Sequence, residues 1–203
     1  MTSIRNIPDE GASGGRTAER LLDAAREAVL TVGWKRTTLS DVARRAEVSR
    51  MTVYRTYPDM TTLFGDLMTR EWGQVVTTVT ARAGADPAAD PADQVADVLV
   101  GVVAALRKDA LLRRVVDVDP ELLLPYLIDR RGRSQQAVVD LLAERIAAAQ
   151  ERGARAGEPT RLARSLALAT QGFLLSASTM TDDEVSLEDL DAELRELVRR
   201  YLA

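Results

Sequence analysis

Apolar residues recur at helical spacing along almost the whole chain, and helix-ending signals fill the gaps between the stripes. Thr17 is a plausible N-cap. After it, Leu21, Leu22, Ala25, Val29 and Val32 line one face, and Gly33 follows at a C′ position, which predicts a first helix of about four turns. Thr38-Leu39-Ser40-Asp41 has the spacing of a capping box, with Asp standing for the usual Glu. Val42, Ala43 and Ala46 then line a short second helix. Glu47-Val48 forms a tight connection, and Ser49 caps a third helix running to about Tyr57, where Pro58 excludes further α conformation. Asp59 caps a longer fourth helix through about Arg82. The segment 84–91, rich in Ala, Asp and Pro, predicts a loop. Further helices are predicted at about 92–107, 109–117, 120–131, 134–152, 159–180 and 187–202, with breakers at Asp119-Pro120, Gly132, 153–159 and 181–186. The Val-rich stretch 75–79 is ambiguous taken alone, but no segment reads as a strand. The expected fold class is all-α, preceded by a disordered arm at 1–15.

Composition narrows the chemistry. The 203 residues suffice for one or two domains with a real core. Apolar residues make up 46%, which predicts a globular chain. There is no Cys and no His. Disulfides, thiolate sites, the usual catalytic triads and the commonest metal ligand are therefore absent. No metal or cofactor is expected, and no catalytic residue is assigned. The first residues carry no signal-peptide pattern and no charge-free run of 18 apolar residues occurs, so no membrane partner and a cytoplasmic location are expected. The net charge of −4 argues weakly against nucleic acid, but its distribution reverses that. Segment 16–57 holds nine basic and five acidic residues, a balance of +4 that leaves −8 for the remainder. A basic head on an acidic body is the asymmetry of a DNA-binding module.

Two short helices joined by a tight turn at 38–57 have the form of a helix-turn-helix. Ala43 is small enough for a crossing helix to approach, Val48 is apolar inside the turn, and Val53 and Tyr57, four apart, can face inward. The opposite face of the third helix carries Arg50, Met51, Thr52, Tyr54 and Arg55. An Arg can pair with guanine O6 and N7, and Thr or Met can touch a thymine methyl. Thr38, Ser49, Tyr54 and Thr56 offer hydroxyls at helix ends, where backbone N–H groups attract phosphate. On spacing alone, a charge-rich short helix is equally an ordinary solvated face, and both tyrosines could be core.

Residues 17–64 resemble the N-terminal domain of the TetR family of bacterial repressors. The resemblance runs through Leu22-Asp23-Ala24-Ala25, Gly33-Trp34, Thr37-Thr38-Leu39-Ser40-Asp41-Val42-Ala43, Ala46-Glu47-Val48-Ser49-Arg50-Met51-Thr52-Val53-Tyr54-Arg55-Thr56-Tyr57 and Leu63-Phe64. It implies a three-helix DNA-binding domain at 16–58, followed by a helical ligand-binding and dimerisation domain at 59–203. The implied DNA contacts are Thr38, Arg44, Ser49, Arg50, Met51, Thr52, Tyr54, Arg55 and Thr56, and the implied partners are double-stranded DNA, a small-molecule effector and a second copy of the chain. Three positions depart from the family pattern: Glu47 where Gly is usual, Met51 where Gly or Lys is frequent, and Met60 where a phosphate-binding Lys is usual. Arg44 and Arg16 could take over the load of that Lys.

The body is harder to read. In the helix predicted at 159–180, Ser165, Ala169, Gly172 and Ser176 form a stripe of small residues, and the preceding helix offers Val138, Leu142, Ile146 and Ala149 on one face. Glycine inside a helix costs about 1 kcal/mol relative to Ala, so a packing reason is expected. By similarity to the family, the two faces form a four-helix dimer interface; the alternative is packing within one chain. Trp72, Val76, Val103, Leu106, Tyr126 and Phe173 are candidate pocket residues, each equally readable as core. Pro125 within an apolar run predicts a kink. Arg107 and Lys108 suit an anionic ligand or the surface. The function this supports is a ligand-responsive transcription regulator, most simply a repressor released from a palindromic operator. Rival readings are an activator, a helical ligand- or partner-binding protein that has lost DNA binding, and, last, an enzyme.

Overall fold

The computed structural model describes residues 10–83 and 88–203. Among them every regular element is helical: α1 (Glu10–Val32), α2 (Leu39–Arg45), α3 (Arg50–Thr56), α4 (Met60–Ala83), α5 (Pro91–Lys108), α6 (Ala110–Val118), α7 (Leu124–Ile128), α8 (Arg133–Gln150), α9 (Pro159–Ser176) and α10 (Leu187–Leu202), with 3-10 turns at Pro120–Leu122 and Ala177–Met180. The Val-rich stretch 75–79 lies inside α4.

The chain divides into two compact units. The head runs to Leu67 and includes Arg114–Leu122; the body comprises Met68–Arg113 and Leu123–Ala203. The division falls beyond the boundary expected at 58–59. Leu63, Phe64 and Leu67, on the first turns of α4, are buried and belong to the head, as does a segment far downstream in sequence. Leu21, Ala25, Val29, Val42, Val53, Leu63 and Val115 are fully buried in this unit.

In the body, α5 is apolar around most of its circumference, the pattern of a helix enclosed by others. Ala92, Ala96, Leu99 and Val103 pack with Val139, Leu142 and Ile146 of α8, with Leu162, Ala163 and Leu166 of α9, and with Leu194, Val198 and Leu202 of α10. Its Val98, Val102 and Leu106 form a second cluster with Trp72, Val75, Val76 and Val79 of α4. Asp90 starts α5 by accepting the N–H groups of Ala92 and Asp93, while Pro91 occupies the first turn, where no donor is missed.

Several elements differ from expectation. Helix α1 begins at Glu10, so Thr17 lies within it and residues 10–15 of the expected arm are helix; 1–9 of that arm, and 84–87 of the expected loop, lie outside the described residues. The helix expected at 120–131 breaks into a 3-10 turn and the short α7. Pro125 sits in the first turn of α7, where it starts a helix rather than kinking one. The helix expected at 159–180 ends at Ser176 and tightens into a 3-10 turn. One carbonyl of its last turns, that of Phe173, accepts from Arg107 Nη2 at 2.8 Å. Arg107 also pairs with Asp191 at 2.8 Å, so it joins α5 to α9 and α10 instead of serving an anionic ligand.

Candidate nucleic-acid interface

The short helices of the head are held at both ends. The Thr38 hydroxyl accepts the Asp41 N–H at 3.2 Å, and the Asp41 carboxylate accepts the Thr38 N–H at 3.2 Å and its hydroxyl at 2.6 Å. The capping box is thus formed, and the Thr38 hydroxyl bond, with its neighbours, holds the Asp41 carboxyl below the usual carboxylate range. At the other end of α2 the Ala46 carbonyl accepts from Arg20 Nη2 at 2.5 Å, and Arg45 pairs with Glu27 at 3.1 Å. Both partners come from α1, which therefore fixes where α2 ends.

The turn that follows is a Schellman motif. The Val48 N–H donates to the Ala43 carbonyl at 3.0 Å and the Glu47 N–H to the Arg44 carbonyl at 3.3 Å. Glu47 sits between them at φ 53°, the left-handed conformation that glycine adopts freely. A non-glycine residue there costs roughly 1–2 kcal/mol, partly offset by glycine's greater freedom in the unfolded chain. Glu47→Gly is therefore expected to raise unfolding stability by about 1 kcal/mol in urea denaturation. Because it also removes an exposed carboxylate from the turn, DNA affinity should rise with it.

Helix α3 starts at Ser49, whose Oγ accepts the Thr52 N–H at 3.1 Å. Val53 and Tyr57 are buried, at 0% and 3% exposure, which fixes the face that turns outward. On that face Met51 is 78% exposed and Tyr54 52%, and Arg50 and Arg55 are exposed with no ion pair among the described residues. Arg44, with its side chain 75% exposed, pairs with Asp41 at 2.8 Å, a contact worth little at the surface. An open groove lined by Ser40, Asp41, Ala43, Arg44, Val48 and Arg50 separates α2 from α3.

The hydroxyls are less available than their positions suggest. Thr38 is occupied by its capping box, Ser49 and Thr52 contact each other at 2.8 Å, and Thr56 donates to the Thr52 carbonyl at 3.0 Å. They shape the helices, and Arg50, Met51, Tyr54 and Arg55 are left to reach outward, with Arg44 beside them. Met60 is half-buried at the start of α4, where Asp59 accepts the Thr62 N–H at 2.7 Å.

In the body the structure separates the sequence-predicted residues. Of the pocket candidates, Trp72, Val76 and Leu106 share the α4–α5 cluster. Val103 and Phe173 belong to the α5–α8–α9–α10 core, and Tyr126 faces Gly132 and the guanidinium of Arg130, 5.4 Å from its ring centre. Leu142, Ile146 and Ala149, expected at a dimer interface, are buried in their own chain at 1%, 0% and 4% exposure, and Val138 packs partly against the same core. Ser165, Ala169, Gly172 and Ser176, by contrast, are exposed, and Leu168 beside them is 71% exposed. Sequence reasoning missed Arg20 and Glu27, whose contacts with α2 leave no local signal, and Leu168, which interrupts no stripe.

The arrangement has clear relatives. The profile described as "Bacterial regulatory proteins, tetR family" matches residues 21–67. An HTH-type transcriptional regulator of Mycobacterium tuberculosis is 34% identical over 203 residues, covering 100% of both chains. Among solved structures, the transcriptional repressor QsdR of R. erythropolis superposes with a TM-score of 0.69 at 16% identity, over 93% of this chain and 95% of that one. The TetR family repressor AlkX of a Dietzia strain, implicated in biodegradation of n-alkanes, superposes with 0.68 at 19% identity, over 91% and 94%. With its helix-turn-helix and its full-length likeness to such regulators, the chain belongs to the TetR family: it is a DNA-binding transcription regulator, not an enzyme.

Proposed function

We propose that the protein is a homodimeric repressor that a small molecule releases from a palindromic operator. The observation that carries this reading is the outward strip of Arg50, Met51, Tyr54 and Arg55 on a helix whose inner face, caps and neighbours are all fixed. Such a strip suits a major groove, with the arginines for guanine or phosphate and Met51 for a thymine methyl.

Dimerisation is supported by α9. Among the described residues nothing lies within 4 Å of a Cβ built on Gly172, so none of them gives a reason for a glycine there. A second copy does, because small residues admit a close helix and Leu168 supplies apolar area. An effector site is supported by the α4–α5 cluster and its surroundings. Trp72 Nε1, Thr80 Oγ1 and Thr170 Oγ1 are buried with no hydrogen-bond partner among the described residues, which is costly unless something else provides one. The apolar side chains of the cluster and the Trp72 N–H suit an effector with an apolar body and a hydrogen-bond acceptor. Its binding would favour one body conformation, and DNA release could be no larger than its preference between the two states.

Selection of bound sequences from random duplex DNA tests the reading. A palindrome should emerge with half-site centres about one helical turn, roughly 34–36 Å, apart. Enrichment of no site would count against it.

A further inference from the structure

Asp119 is the one charged residue among the described ones that is fully enclosed, at 2% exposure. It stands at the C-terminal end of α6, its own N–H donating to the Val115 carbonyl at 3.0 Å. A carboxylate is unfavourable there, because the helix dipole already leaves partial negative charge at that end. Its burial adds a desolvation cost that only good hydrogen bonds offset. The reason for an acid at this place therefore lies outside its own helix.

That reason is the turn between α1 and α2. Asp119 Oδ2 accepts the Trp34 N–H at 2.7 Å, across 85 positions of sequence. Gly33, at φ 87°, lets the two segments meet: a Cβ there would stand 3.2 Å from Asp119 Oδ2 and 3.3 Å from Val118 Cγ1. Beside this bond, Lys35 Nζ lies 2.6 Å from Glu121. Within the turn, the buried Thr37 hydroxyl donates to the Gly33 carbonyl at 2.8 Å and the Thr37 N–H to the Trp34 carbonyl at 2.9 Å. The Trp34 ring meets Phe64 with centres 4.5 Å apart. The next residue, Thr38, is the cap of α2.

We propose that Asp119 is a positioning residue for DNA binding, acting through the turn between α1 and α2. The inference rests on the operator-binding reading above. The Asp119–Trp34 bond fixes the turn, the turn fixes the start of α2, and Arg20 and Glu27 of α1 fix its end. Together these contacts aim α3.

The test uses the full chain, the selected operator and random duplex DNA, with wild type, Asp119→Ala, Asp119→Asn and Glu121→Gln, at a temperature where circular dichroism shows each folded. Asp119→Ala should weaken operator binding tenfold or more while changing random-duplex binding less than twofold, because every outward arginine remains. Asp119→Asn keeps an acceptor oxygen and should recover operator affinity to within threefold of wild type. Glu121→Gln, which alters only the exposed ion pair, should change it less than twofold. Hydrogen exchange at the Trp34 amide should be slow in wild type and Asp119→Asn and fast in Asp119→Ala, whatever DNA is present. A folded Asp119→Ala that binds the operator like wild type, or an Asp119→Asn as weak as the alanine variant, would overturn the proposal. If Asp119→Ala does not fold, the asparagine variant and Trp34 exchange decide it. Wild type that does not prefer the operator to random duplex refutes the operator reading instead; the proposal for DNA falls with it, and Trp34 exchange then reports only on the structural clasp.

Discussion

Replacing Arg55 with alanine is expected to weaken binding to the selected operator by about 1–3 kcal/mol and to relax preference at one base position of each half-site. Arg55 lies in the last turn of α3 on the face opposite Val53, exposed and without an ion pair among the described residues. Its guanidinium is thus not engaged by a carboxylate before DNA arrives, and its rigid fork matches guanine O6 and N7. Arg55→Lys keeps the charge but loses the fork, so it should recover the nonspecific part of binding and little of the base preference. Titration of the operator and its single-base variants at several salt concentrations separates this from a phosphate contact. A phosphate contact would weaken all sequences alike and flatten the salt dependence by about one charge. That uniform result would move the base-reading role to Arg50, Met51 and Tyr54.

The head was legible because its signals are local. Thr38 and Asp41, Ser49 and Thr52, and Val53 and Tyr57 are each separated by three or four positions, and the structure joins the first two pairs by hydrogen bonds and buries the third. What the pattern could not show was where each hydroxyl spends its bond. Thr38 and Thr56 sit at helix ends, but one closes a capping box and the other bonds a carbonyl one turn back. Contacts between distant segments left no trace either. Arg20 reaches the end of α2 and Asp119 the start of the α1–α2 turn, and nothing in their neighbours' pattern points there. The body shows the same limit at larger scale. A stripe such as Leu142, Ile146 and Ala149 announces burial without naming what buries it, and α5, apolar on two faces, distributes Val103 and Leu106 to different clusters although they lie one turn apart.

That ambiguity gives the second strong prediction, a contrast between two leucines. Leu142 is 1% exposed within its own chain, among side chains of α5, α9 and α10, and Leu168 is 71% exposed on the outer face of α9. Leu142→Ala removes buried methyl groups from a filled core and should cost about 2–5 kcal/mol of stability. Leu168→Glu removes nothing from the interior of a single chain, but it places a carboxylate where a second copy is proposed to close over Gly172. It should leave helix content unchanged, give a monomer by light scattering, and abolish the dependence of the unfolding midpoint on protein concentration that a dimer shows. Operator affinity should fall by about 10²–10⁴, because the second recognition helix is no longer tethered to the first. If Leu168→Glu remained dimeric while Leu142→Ala fell to folded monomers, the interface would belong to α8 as its stripe suggested, and the buried positions of Leu142 and Ile146 would have to open on association.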